Sequence, residues 1–207
     1  MPEYRLRIPG PTTVPERIRL AIAAPMQAHR GAEFKAILAE VQAGLRAVYG
    51  TAQDVFLFAG SGTAMMEASL ANVLGPGDAV LVAVAGQFGE RFAQIAAALG
   101  ASVDALECEW GQGIDVQQLA ERIARKDYRA VVVVHNESST GVTEDLAAIA
   151  AALRERPALL LVDSVSGLAG AEMKMDAWGA DIVVSASQEC LMCPPGLGFA
   201  PVSPKAW

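Results

Sequence analysis

The sequence predicts an α/β fold of three layers, with helices on both faces of a mostly parallel sheet. Three observations carry that prediction. Short continuous apolar runs, such as Ala79–Val84, Ala130–Val134 and Leu159–Val162, have the length and β-branched content of strands buried on both faces. Segments with apolar residues at helical spacing alternate with these runs. Glycine and proline punctuation, as in Gly75-Pro76-Gly77-Asp78 and at Gly100, separates the units. Strands alternating with helices in this way build parallel βαβ units.

The elements follow in order. Residues 1–32 read as an N-terminal arm: Pro9-Gly10-Pro11-Thr12-Thr13 is turn-rich, and Pro15 can open a short helix through Ala24. From Glu33 to Tyr49, Phe34, Ile37, Leu38, Val41, Leu45 and Val48 recur at helical spacing, and Gly50 stops that helix. Val55–Phe58 is a strand and Thr63–Val73 a helix. Ala79–Val84 is a strand and Gln87–Leu99 a helix. Ser102–Glu107 is a strand and Asp115–Arg125 a helix. Ala130–Val134 is a strand and Glu144–Leu153 a helix. Leu159–Val162, Ile182–Val184 and Leu197–Val202 complete the strands, so residues 33–207 form one α/β domain.

Composition bounds the function. The chain has 207 residues, 53% of them hydrophobic and 19% charged, which excludes a disordered protein and is apolar for a self-contained monomer. A net charge of −7 argues against electrostatic binding to nucleic acid or to an anionic membrane. No apolar run approaches the ~20 residues that span a bilayer. Met1-Pro2-Glu3-Tyr4-Arg5 lacks a signal-peptide pattern, so a cytoplasmic setting is expected. Three cysteines make no disulfide framework. Cys190 and Cys193 form a C-x-x-C, but His29 and His135 are not spaced to complete a zinc site, and Pro194-Pro195 breaks the helix a redox pair would want. No metal is expected.

In such a sheet, ligands sit at the carboxyl ends of the strands, and five segments there carry chemistry. Ala59-Gly60-Ser61-Gly62-Thr63 precedes a helix, whose free amides with the Ser61 and Thr63 hydroxyls make either a phosphate cradle or an ordinary capped turn. It is not a Walker loop, and the dinucleotide fingerprint fails at Met65, which disfavours a nucleotide-binding domain. Gly86-Gln87-Phe88-Gly89 presents Phe88 either to a flat ligand or to the core. His135-Asn136-Glu137-Ser138-Ser139-Thr140-Gly141 is a dense polar cluster. In it His135 is either a general base or an orienting group, and the Asn136-Glu137-Ser138 sequon reads as chance without a secretory signal. Asp163 follows an apolar strand, where a carboxylate is costly unless it caps a turn or meets a cation. Ser187-Gln188-Glu189-Cys190 leads into Pro194-Pro195-Gly196.

Taken together, these stretches resemble the class V aminotransferases of pyridoxal-phosphate (PLP) fold type I, and most closely the alanine–glyoxylate and serine–pyruvate group. The matching stretches span nearly the whole chain: Pro9-Gly10-Pro11-Thr12, Gly60–Ala64, Gly86–Arg91, Glu137–Gly141, Val162–Val165 and Ser187–Cys190. The resemblance implies a cofactor phosphate held by Ser61, Gly62 and Thr63 with Gln188 nearby. It implies Phe88 stacked on the pyridine ring, Val165 on its other face, and Ser138 bonded to the phenolic oxygen. Asp163 would pair with the pyridinium nitrogen, and the Pro9-Gly10 arm would approach the substrate.

The sequence departs from the family pattern at two places. Where the family has the Schiff-base lysine after the Ser-Gln pair, this chain has Glu189, and a carboxylate forms no imine. The four lysines, Lys35, Lys126, Lys174 and Lys205, all lie away from strand ends. Family members also continue into a smaller C-terminal domain, absent here, that supplies a substrate-binding arginine. The resemblance therefore implies a homodimeric transaminase acting on an amino acid and a 2-oxo acid of the pyruvate or glyoxylate type, impaired at Glu189 and holding PLP without a covalent link. The alternative is a non-catalytic PLP-binding or dimerisation module.

Overall fold

The structure, a computed structural model, describes residues 5–207, so Met1–Tyr4 of the opening peptide lie outside the described residues. Among the described residues, sixteen elements succeed one another. Helices α1 (Glu16–Ile22) and α2 (Ala32–Tyr49) precede strand β1 (Val55–Gly60) and helix α3 (Gly62–Ala71). Then come β2 (Ala79–Val84), α4 (Gln87–Ala98), β3 (Ser102–Glu107), α5 (Val116–Arg125) and β4 (Ala130–Val134). A small hairpin, β5 (Asn136–Glu137) and β6 (Val142–Thr143), leads to α6 (Leu146–Leu153), β7 (Leu159–Asp163), α7 (Met175–Trp178), β8 (Ile182–Ala186) and β9 (Gly196–Pro201).

The large sheet runs β1-β9-β8-β7-β4-β2-β3. Strands β3, β2, β4, β7 and β8 are mutually parallel, whereas β9 is antiparallel to both β8 and β1. The carboxyl ends of β1, β2, β4, β7 and β8 therefore share one edge. Chain connections diverge between β2 and β4, which is where a crevice forms.

Burial on both faces explains the continuous apolar strands. Leu81, Ala83, Val131, Val133, Leu160 and Val162 face one core with α5 and α6. Their neighbours Val80, Val82, Val132, Val134 and Leu161 face a second core with α3 and α4. Edge strand β3 is only partly covered, with Leu106 its one buried residue.

The helix starts have local causes. Ser61 Oγ accepts from the Ala64 amide, Asp115 from the Gln117 and Gln118 amides, and Asp145 from the Ala148 amide. The sixth helix thus begins after Asp145, not at Glu144 as its spacing predicts. Glu144 is buried and accepts from the Ile114 amide at 2.9 Å. The hairpin and α7 have no counterpart in the sequence reading. Helix α2 buries only Leu45 and Tyr49, leaving Phe34, Ile37, Leu38 and Val41 at the surface. No helix among the described residues is long and apolar enough to cross a membrane.

Candidate active site

Helix α3 begins directly after β1, so its first amides, which have no partner within the helix, point into the crevice. Close packing makes Gly62 necessary there, since a Cβ at this position would lie 2.9 Å from Val165 Cγ2. Opposite, α4 opens after β2. Its Arg91 guanidinium sits 4.9 Å from the centre of the Phe88 ring, and Nη1 donates to Thr63 Oγ1 at 3.1 Å. A cation is thereby held beside the α3 N-terminus.

Glu137, fully buried, ties this helix start to the end of β4. Its carboxylate accepts from the Phe88 and Gly89 amides, each at 3.1 Å, and from the Ser139 amide and hydroxyl at 3.2 and 2.6 Å. A buried carboxylate with this many donors has its charge compensated locally. Ser138 Oγ donates to Ser166 Oγ at 2.7 Å, which in turn donates to the Asn136 carbonyl at 2.9 Å. His135 is buried, with Nδ1 2.9 Å from Ser164 Oγ and burial lowering its pKa to about 4. It does not line the cavity formed by the strand ends.

Asp163 ends β7 at 3% exposure. Oδ1 accepts from the Val165 amide at 2.7 Å, and no cationic side chain pairs with the carboxylate among the described residues. Burial pushes its pKa up to about 7. Glu137 and Glu189 add to the rise, while the Val165 amide and Arg91 oppose it.

Gln188 and Glu189 follow β8 and are fixed by the arm. The Thr12 amide donates to the Gln188 carbonyl at 2.9 Å, and Thr12 Oγ1 to the Glu189 carbonyl at 2.9 Å. The Glu189 carboxyl packs so closely on Gly10 that any Cβ there would overlap it. Its Oε2 is buried without a hydrogen-bond partner, and burial raises its pKa.

A cavity of about 180 Å³ brings together Ser61, Gly62, Thr63, Phe88, Ser138, Asp163, Val165, Gln188 and Glu189. Phe88 thus lines the crevice while packing, half-buried, against the second core. Gly10 lines an adjoining opening that shares Ser61, Gln188 and Glu189, whereas Pro9 is exposed and lines neither. Arg91, Asn136 and Ser166 also line the cavity, and sequence reasoning gave them no role. The signal for Arg91 was its place one helical turn after Phe88; Ser166 had no comparable mark. Cys190 and Cys193 are free thiols. No cluster of three or more His, Cys, Asp and Glu able to hold a metal occurs among the described residues.

Known proteins match most of the chain. A family model described as aminotransferase class V matches residues 19–206. The chain is 44% identical over 206 residues to the soluble hydrogenase 42 kDa subunit of Anabaena cylindrica, covering 98% of this chain and 54% of that protein. It is 40% identical over 205 residues to L-aspartate–glyoxylate aminotransferase of Paracoccus denitrificans, covering 96% and 52%. The crystal structure of alanine–glyoxylate aminotransferase from Nostoc sp. matches with a TM-score of 0.95 at 35% identity, over 100% of this chain and 55% of that one. The chain thus spans about half the length of the curated relatives it matches.

Proposed function

The chain belongs to the class V aminotransferases, with the α/β fold of the PLP fold type I large domain, and we propose that it is the cofactor-holding part of a transaminase whose covalent cofactor link is blocked at Glu189. The observation that carries this reading is Asp163: a carboxyl buried at the end of β7, without a cationic partner, on the same cavity as the α3 N-terminus. Such a carboxyl is costly unless a protonated nitrogen meets it.

The donor set fits the cofactor at three points. The α3 amides, the Ser61 and Thr63 hydroxyls and Arg91 suit a phosphate, with Gln188 beside them. Phe88 and Val165 suit the two faces of a flat ring, and the Ser138 hydroxyl, on turning from Ser166, would donate to its phenolic oxygen. Asp163 suits the pyridinium nitrogen and would keep it protonated. Bound there, PLP supplies an electron sink for the bonds at an amino acid's α-carbon. The fit fails at the fourth point. The resemblance puts the family's cofactor-linking lysine at residue 189, and a glutamate there neither bonds to the cofactor nor serves as the amine base that moves the α-proton.

The proposed substrates are an amino acid and a 2-oxo acid of the glyoxylate or pyruvate type. This rests on relatives named as aspartate–, serine– and alanine–glyoxylate aminotransferases. The exposed apolar residues of α2 support a homodimer, and we place the protein in the cytoplasm. Glu189 itself favours the second reading, a PLP-binding or dimerisation module without catalysis.

Replacing Glu189 with lysine tests the proposal. Glu189→Lys treated with PLP and borohydride should carry a reduced adduct that peptide mapping assigns to residue 189. The unaltered chain should carry none in the site and should transfer no amino group to glyoxylate. A Glu189→Lys chain without that adduct overturns the cofactor site. Turnover by the unaltered chain overturns the block.

A further inference from the structure

Glu189 lines the cavity, its carboxyl makes no ion pair or side-chain hydrogen bond among the described residues, and its Oε2 is buried without a partner. Leaving such an atom unpaired forfeits its hydration with nothing in return. The cations nearest in role are engaged elsewhere. Arg91 is held by Thr63 and the Phe88 ring. Lys205 bonds Ala158 and Asp181, Lys174 pairs with Glu172, and Lys126 lies over Tyr128. Gly10 and the Thr12 contacts hold the Glu189 backbone and carboxyl in place. A ligand in the cavity is placed to supply the donor this carboxyl lacks.

The charges around the cavity specify that ligand further. Arg91 and the α3 N-terminus ask for an anion. Asp163 and Glu189 each ask for a proton-bearing, positively charged nitrogen. Resting on the reading that this cavity holds the cofactor, we infer that it selects the amine form, pyridoxamine 5′-phosphate, over forms with an oxygen function at the same carbon, because that form's ammonium supplies the donor Glu189 lacks. Where a lysine would capture the aldehyde, the glutamate retains the amine. The site then works as a receptor for aminated cofactor.

Titration calorimetry on the purified chain near neutral pH tests this without catalysis. The probes are pyridoxamine 5′-phosphate and pyridoxine 5′-phosphate, which carries a hydroxyl in place of the ammonium. Neither forms imines with surface lysines. The amine form should bind roughly ten- to a hundredfold tighter, the range for a charge-assisted hydrogen bond. Glu189→Gln, nearly isosteric, should bring the ratio to within about threefold. Equal binding of both probes by the unaltered chain refutes the selection and leaves the cofactor site standing. A ratio that survives Glu189→Gln also refutes it. Binding of neither probe overturns both the selection and the cofactor reading.

Discussion

Replacing Asp163 with asparagine asks whether this carboxyl is kept for a ligand at the expense of the fold. Burial first, then Glu137 and Glu189, lift its pKa from 3.8 to about 7, against the Val165 amide and Arg91. The folded chain therefore holds this proton more tightly than the unfolded chain. Below pH 3.8 both states carry the proton and there is no penalty. Between there and about 7 the unfolded chain has released it and the folded chain has not, so unfolding free energy falls by about 1.4 kcal/mol per pH unit. Above about 7 the full cost, at most about 4 kcal/mol, is present. The asparagine side chain would keep the shape and an oxygen for the Val165 amide, without the charge.

The unfolding free energy of Asp163→Asn minus that of the parent should accordingly be small near pH 4. It should reach several kcal/mol near pH 8, in favour of the variant. His135 titrates the other way: burial lowers its pKa from 6.5 to about 4, so its stabilisation is lost as pH falls through that range. It is common to both proteins and cancels in the difference. Urea unfolding followed by circular dichroism across this range gives the curve. A difference flat with pH, or a parent more stable than the variant near pH 8, refutes the reasoning. Saturating pyridoxine 5′-phosphate should narrow the gap, because only the parent carboxylate pairs with the pyridinium.

Two further outcomes are expected. Gly89→Ala places a Cβ 2.9 Å from the Ala83 carbonyl oxygen and the Val84 Cα, backbone atoms that cannot give way. It should lower unfolding free energy by about 1–3 kcal/mol, read as an earlier denaturation midpoint. Arg91→Gln removes the cation beside Thr63, so affinity for pyridoxine 5′-phosphate should fall about tenfold with little change in stability. An unchanged affinity excludes Arg91 from phosphate binding.

Much of this molecule is local in origin, and the sequence alone determines that part. A run such as Ala130–Val134 is a strand because every residue in it is buried, and the gap to the next run holds a helix of matching period. Capping hydroxyls and carboxylates at Ser61, Asp115 and Asp145 mark helix starts within three residues of the amides they serve. Strand ends could thus be located, and with them Ser61, Phe88, Ser138, Asp163 and Gln188, the residues that meet at one cavity. The hairpin at Asn136–Thr143 escaped because two-residue strands have no period to read.

What only the tertiary structure decided concerns groups far apart in sequence. The order of the strands and the reversal of β9 depend on which edges pair, which no local spacing encodes. Arg91 meets Thr63 across 28 residues, and Glu137 reaches Gly89 across 48. The sequence marked Glu189 as the wrong residue for a covalent link. Its closure by Gly10, nearly the whole chain away, and its oxygen left without a donor arise only when the arm folds over β8. Burial and unmet hydrogen bonds belong to the packed molecule, because they depend on what excludes water.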